Sequence, residues 1–193
     1  MMLIDEHKNV LDENRIIYMS GEFNEGKAEL IVSKLLQLEC INPEKDILLI
    51  IDSYGGIVDS FVTIYDTIHL LRCDVATCCI GKAMSCGQLL LISGKKGKRF
   101  ITPNSRVMIH EFAAGKYGKL SDLEINVKEN RRLHKKIWEN LNIKYTKLTK
   151  KKLDYMRNRD TFLDAKECID NGLVDHIITN SSVLYNNINI GGL

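Results

Sequence analysis

The chain has 193 residues, a hydrophobic fraction of 45% and a formal net charge of +2 from 27 basic and 25 acidic residues. That suits one domain with enough apolar material for a sizeable core. The charge balance gives no argument for nucleic acid or an acidic membrane surface as partner, and no apolar run reaches the ~20 residues that span a bilayer.

Residues 1–14 are polar and expected to be irregular. Residues 15–19 (RIIYM) predict a strand, ended by Ser20-Gly21. Between 24 and 40 the apolar residues Leu30, Ile31, Leu35, Leu36 and Leu38 recur at helical spacing, and Asn42-Pro43 breaks that helix. Residues 46–51 form a continuous apolar strand of the type buried on both faces of a parallel sheet. Residues 52–56 (DSYGG) read as a turn, followed by a helix from 58 to 71. A β-rich run at 75–80 ends at Gly81, and 84–92 predicts a buried helix. Short strands at 99–102 and 106–109 flank Pro103-Asn104. This alternation of strand and helix predicts an α/β domain.

After His110 the pattern changes. Residues 113–118 (AAGKYG) are a glycine-bearing loop. Ser121-x-x-Glu124 reads as a capping box that opens a helix running to Tyr145. Leu123, Val127, Leu133, Ile137, Trp138 and Leu141 offer it an apolar stripe; its other faces are basic. A helix of this length is expected to lean on an oligomer partner. A short helix is predicted at 150–157. Asp164-x-x-Glu167 is a second capping box, with Gly172 placed as the C-terminal cap. Residues 173–178 close the fold as a strand. The tail, 180–193, is rich in Asn, Ser and Gly and is expected to be disordered.

The six cysteines, at 40, 73, 78, 79, 86 and 168, show no zinc spacing and read as small buried apolar residues. Free thiols in this number fit a reducing compartment, the cytoplasm or an organelle stroma or matrix. The N-terminal MMLIDEHKN has no apolar core of a secretory signal, so a soluble intracellular protein is expected.

Three segments could carry chemistry. Ser85 follows a strand and opens a helix within Gly81-Lys82-Ala83-Met84-Ser85-Cys86-Gly87. Small residues there permit a sharp turn, and a helix N-terminus favours an oxyanion; the alternative is a plain N-cap serine. Gly55-Gly56 follows a buried strand and could present backbone N–H groups; the alternative is a tight turn. His110 ends a β-run, and histidine titrates where a serine base must; the alternative is a structural histidine, as for His7, His69, His134 and His176. Spacing does not choose the acid that would orient the base.

Taken together these segments resemble the ClpP family of ATP-dependent protease core subunits. The residues that carry the likeness are NPEKDI at 42–47, SYGG at 53–56, IYDT at 64–67, GKAMSCG at 81–87, GKKGKRF at 94–100, PNSRVMIH at 103–110, RDTFL at 159–163 and GLVD at 172–175. The resemblance implies a ClpP/crotonase-like ββα superhelix: a head (about 15–110 and 160–178) and a protruding handle (about 111–159). It implies Ser85 as nucleophile, His110 as base, Asp160 as acid, and the backbone N–H groups of Gly56 and Cys86 as oxyanion hole. Gly55, Ala113, Ala114 and Gly115 would bind substrate backbone, with Arg159 and Asp122 at oligomer contacts. Two stacked heptamers, or a ring mixed with a paralogue, would enclose peptide substrates, with an AAA+ Clp ATPase as partner. Neither metal nor cofactor is implied.

The sequence departs from the family pattern at Tyr54, where proline usually precedes the glycines, and at Glu111-Phe112, where Gln-Pro usually follows the base. Asn158 stands where an acid usually pairs across the ring junction. Residues 1–14 are short for the family's axial-loop segment. The aromatic residues of the ATPase-docking groove are replaced by Leu48, Ile50 and Leu70, with Phe100 retained. The competing expectations are a catalytically silent subunit of a mixed ring, a crotonase-type acyl-CoA enzyme of shared ββα architecture, and a membrane-anchored Ser–Lys peptidase.

Overall fold

The computed structural model describes residues 14–115, 117–157 and 159–190. The expectations for residues 1–13, Lys116 and Asn158 and the last three of the tail lie outside these described residues.

Strand β1 (Ile16–Phe23) leads into helix α1 (Glu25–Ile41), which Asn24 caps by accepting from the Lys27 N–H. Of the predicted stripe only Ile31, Leu35 and Leu38 are buried, joined by Ala28; Leu30 and Leu36 face outward. The 28/31/35/38 spacing is the helical period, so the apolar excess beyond it is left exposed. Strand β2 (Ile47–Gly56) and helix α2 (Val58–Leu70) repeat the unit, as do β3 (Val75–Met84) and α3 (Cys86–Ile92). Short strands β4 (Arg99–Ile101) and β5 (Arg106–Ile109) follow.

Beyond the loop at 111–119 a helical run extends from α4 (Leu120–Leu133) through a π-helical segment (His134–Glu139) to α5 (Asn140–Tyr145). Helix α6 (Lys150–Arg157), strand β6 (Thr161–Leu163), helix α7 (Ala165–Asp170), strand β7 (His176–Ile177) and helix α8 (Ser181–Tyr185) complete the described chain. The box at Asp164 and Glu167 forms both reciprocal bonds. That at Ser121 and Glu124 does not: the helix already begins at Leu120, with Lys119 as N-cap, so Ser121 lies inside it.

The sheet runs β1-β2-β3-β4-β7, all parallel, and β3 changes partner along its length. Its lower half pairs with β4 (Cys78↔Phe100) and its upper half with β5 (Met84↔Met108). β6 then pairs antiparallel with β5. Several predicted strand ends fall elsewhere: β3 runs past Gly81 to Met84, and the closing strand predicted at 173–178 is only His176–Ile177. β1 continues past Ser20-Gly21 through a bulge, and β2 continues through the glycine pair, because Glu22 and Phe23 pair with Gly55 and Gly56. The expected DSYGG turn is therefore a strand end.

Helices α1, α2 and α3 cover one face of the sheet. Ile47, Leu49 and Ile51 of β2 point into this main core. Leu48, on the other face, is also buried, as the apolar run predicted, and the cover there is unexpected. Ile188 and Ile190 of the tail, with Leu184, pack on Leu48, Ala76, Cys78 and Phe100. The tail is expected from its sequence to be disordered; its described residues form helix α8 and lay Ile188 and Ile190 on the apolar surface of the outer face of β2.

Candidate active site

Ser85 sits at the β3–α3 junction with φ 53° and ψ −120°. A non-glycine residue pays for positive φ, and such strain marks strand-to-helix elbows that thrust a side chain out of the sheet. The junction is held on both sides. The Ser85 N–H donates to the Met108 carbonyl of β5, while the Ser85 carbonyl accepts from Gln88 and Leu89 N–H in the first turn of α3.

The glycine pair is packed against this elbow. A Cβ on Gly55 would lie 2.7 Å from Ser85 Cβ and 3.2 Å from Cys86 N; one on Gly56 would lie 2.5 Å from the Phe23 carbonyl oxygen. Both also have positive φ, 104° and 144°. Only glycine allows β2 to approach so closely. Cys86 Sγ lies 3.4 Å from the Gly56 carbonyl oxygen, so the two residues expected to form the oxyanion hole are neighbours. Burial pushes the Cys86 thiol up to about 11. It therefore stays protonated at neutral pH and does not compete as a nucleophile.

His110 follows β5 and Asp160 precedes β6. Because Ile109 pairs antiparallel with Thr161, the two side chains leave the same end of the sheet. His110 Nδ1 stands 3.4 Å from Asp160 Oδ1, with the side chains 27% and 58% exposed. Since Met84 pairs with Met108, Ser85 leaves that end as well. Three successive strands, β3, β5 and β6, thus present Ser85, His110 and Asp160 in that order, at the strand spacing of about 4.8 Å. Among the described residues no hydrogen bond joins Ser85 Oγ to His110. Catalytic contacts of this kind are often open without substrate and tighten in its complex.

Glu111, beside His110 in sequence, turns to His134 Nε2 at 3.6 Å instead. His134 is stacked on Trp138 and edged by Phe112. Glu111, Phe112 and His134 line a cavity of about 610 Å³, walled by Val58 and Ala113-Ala114 on one side and by Val127 and Leu133 of the long helix on the other. Gly115 is exposed on the same loop, which forms no strand among its described residues. Tyr54, the departure before the glycines, stacks under Lys82 Nζ at 4.5 Å. That ammonium is held by Asp52 at 2.6 Å, so it is committed elsewhere than to Ser85, against the Ser–Lys reading. Arg159 lies over the Tyr155 ring, and Asp122 stands in the first turn of α4. Arg159 lies between α6 and β6, on a different segment from Asp122.

The profile of the family described as Clp protease matches residues 3–181. That match spans most of the 193 residues, and the chain therefore belongs to the Clp protease family of serine peptidases.

Proposed function

We propose that the chain is an active serine endopeptidase subunit, with Ser85, His110 and Asp160 as its triad. The observation that carries this reading is the alignment of the three residues on the successive strand ends β3, β5 and β6. His110 takes the proton of Ser85 Oγ as it attacks a peptide carbonyl, and Asp160 holds the imidazole through Nδ1. The tetrahedral oxyanion forms beside the Gly56 and Cys86 N–H groups, each such donor being worth about 3–4 kcal/mol. His110 protonates the leaving amine. Water then repeats the sequence on the acyl-enzyme and releases Ser85. Gly55 and the Ala113–Gly115 stretch would hold the substrate backbone on either side of the scissile bond.

The long helical run from Leu120 would act as a handle joining two heptameric rings around a chamber. Its first two turns support this, since Leu120 and Ile125 are 74% and 67% exposed and no residue of α4 is buried. Peptides and unfolded proteins would be the substrates, and a Clp ATPase in a cytoplasmic or organelle compartment the source of unfolded chains.

Fluorophosphonate labelling with the site mapped by mass spectrometry, alongside particle sizing, tests the reading. Label on Ser85 in a large particle is expected. A well-formed ring that takes no label would overturn it in favour of a silent subunit. Ser85→Ala should abolish peptide hydrolysis and leave the particle intact.

A further inference from the structure

Helix α3 begins directly after Ser85, and all seven of its residues are buried. Most of its side chains are apolar, and apolar contacts set no direction. Cys86 gives a weak thiol bond to the Gly56 carbonyl at 3.4 Å. The far end of the helix is tied to β3, where Thr77 Oγ1 donates to the Leu91 carbonyl at 2.7 Å. The strong side-chain bond of the first turn comes from Gln88, which is 1% exposed. Its Nε2 donates to Asn142 Oδ1 at 2.9 Å, and Asn142, in helix α5, is 0% exposed.

What lies beyond the two amides fixes their orientation. Asn142 Nδ2 donates to the Trp138 carbonyl at 2.8 Å. A carbonyl only accepts, so Asn142 turns its NH2 group to Trp138 and its oxygen to Gln88, which meets it with its own NH2 group. Trp138 lies in the π-helical segment, an irregularity that recurs at functional sites. It stacks on His134, which lines the cavity together with Glu111. On the other side, the Gln88 N–H donates to the Ser85 carbonyl at 3.0 Å. One residue therefore bonds the strained elbow through its backbone and the long helical run through its side chain. An apolar pair of similar volume would fill such a place without the desolvation that two buried amides incur. What the amides add is direction: a satisfied buried network rigidifies the packing around it and makes it unique.

We propose that Gln88 and Asn142 are positioning residues for Ser85. Their buried amide bond holds the first turn of α3 against the helical run and so fixes where Ser85 Oγ stands relative to His110. The inference rests on the catalytic reading of Ser85. A residue at φ 53° keeps that conformation only where its surroundings over-determine it. The Met108 carbonyl holds the Ser85 N–H on one side, and the amide pair holds the turn that follows on the other. Both side chains are shut away from solvent, so they act through Ser85 and not on the substrate.

The test compares the full wild-type chain with Gln88→Met, Asn142→Leu and the double variant. Four quantities are read: hydrolysis of a fluorogenic peptide, the rate of fluorophosphonate labelling at Ser85, the thermal midpoint and the particle mass. Each single variant leaves one buried amide without its partner, and both its thermal midpoint and its kcat should fall. The double variant replaces both amides by apolar side chains of similar volume, so its thermal midpoint should return close to that of the wild type. Its kcat and labelling rate should nevertheless stay about tenfold or more below wild type, with KM changed less than about twofold, because the loss is one of geometry. Recovery of kcat together with the thermal midpoint would overturn the proposal, by making the pair a packing element. So would wild-type kcat in the single variants, a change confined to KM, or a loss of activity that follows a smaller particle mass. A double variant that does not fold would also overturn it, by showing that the pair serves the fold rather than Ser85. A wild-type chain that forms particles but neither hydrolyses peptide nor takes label fails the catalytic reading itself, and the proposal with it; every other outcome requires an active wild type.

Discussion

His110 Nδ1 and Asp160 Oδ1 stand 3.4 Å apart although the whole helical excursion separates them in sequence. Their meeting depends on one antiparallel register, Ile109 opposite Thr161. Asp160→Asn keeps that register and removes the charge that orients the imidazole. The expected result is a fall in kcat of about 10²–10⁴-fold, toward the lower end because Asp160 is more than half exposed. Hydrolysis of a fluorogenic peptide measures it; unchanged kcat would remove Asp160 from the triad.

Gly55→Ala should disable the site from outside the triad. The new Cβ would meet Ser85 Cβ at 2.7 Å and the Met84 carbonyl at 2.9 Å, at a backbone φ of 104°. Activity should drop at least 100-fold, with a stability loss of about 1–3 kcal/mol from strain and overpacking. Gly118→Ala is the control: nothing lies within 4 Å of its Cβ position, and its thermal midpoint should hardly move.

Asp175 gives the fold an acid-sensitive clasp. Burial alone would raise its carboxyl, but the Arg99 side chain and the N–H groups of Gly97 and Arg99 outweigh that and hold it below its usual value. A carboxylate depressed in the folded state adds stability above its unfolded pKa of about 4, and that stability is lost as pH falls through the lower folded value. The wild-type urea midpoint should therefore fall on acidification from pH 5 toward 3. Asp175→Asn should be less stable already at pH 7, by about 3–5 kcal/mol, because it leaves the buried Arg99 guanidinium unpaired. Its midpoint should also show a flatter acid limb; an unchanged limb would exclude this pair as the cause.

Ile125 sits on the exposed apolar side of α4. If that surface joins two rings, Ile125→Asp should halve the particle mass in light scattering while fluorophosphonate still labels folded subunits to some extent. Retention of full mass would place the ring contact elsewhere.

Local signals in the sequence were enough for the alternating α/β order and the Asp164 capping box, and they placed Ser85 between a strand and a helix, because periodicity, caps and small residues act within a few positions of themselves. Tertiary structure decided the rest. Many carboxylates could orient His110 by spacing alone; the family resemblance points to Asp160, and the β5–β6 register brings it to 3.4 Å from His110. Glu111, its sequence neighbour, goes to His134 instead. Gly55-Gly56 looked like a turn because glycine is read locally as a breaker, whereas its role is to let β2 touch Ser85 and Phe23. The tail looked disordered because its composition is polar. Ile188 and Ile190, with Leu184, pack on the apolar surface that parallel pairing assembles from Leu48, Cys78 and Phe100, and Asn189 bonds Asp46; no stretch of sequence contains that surface by itself.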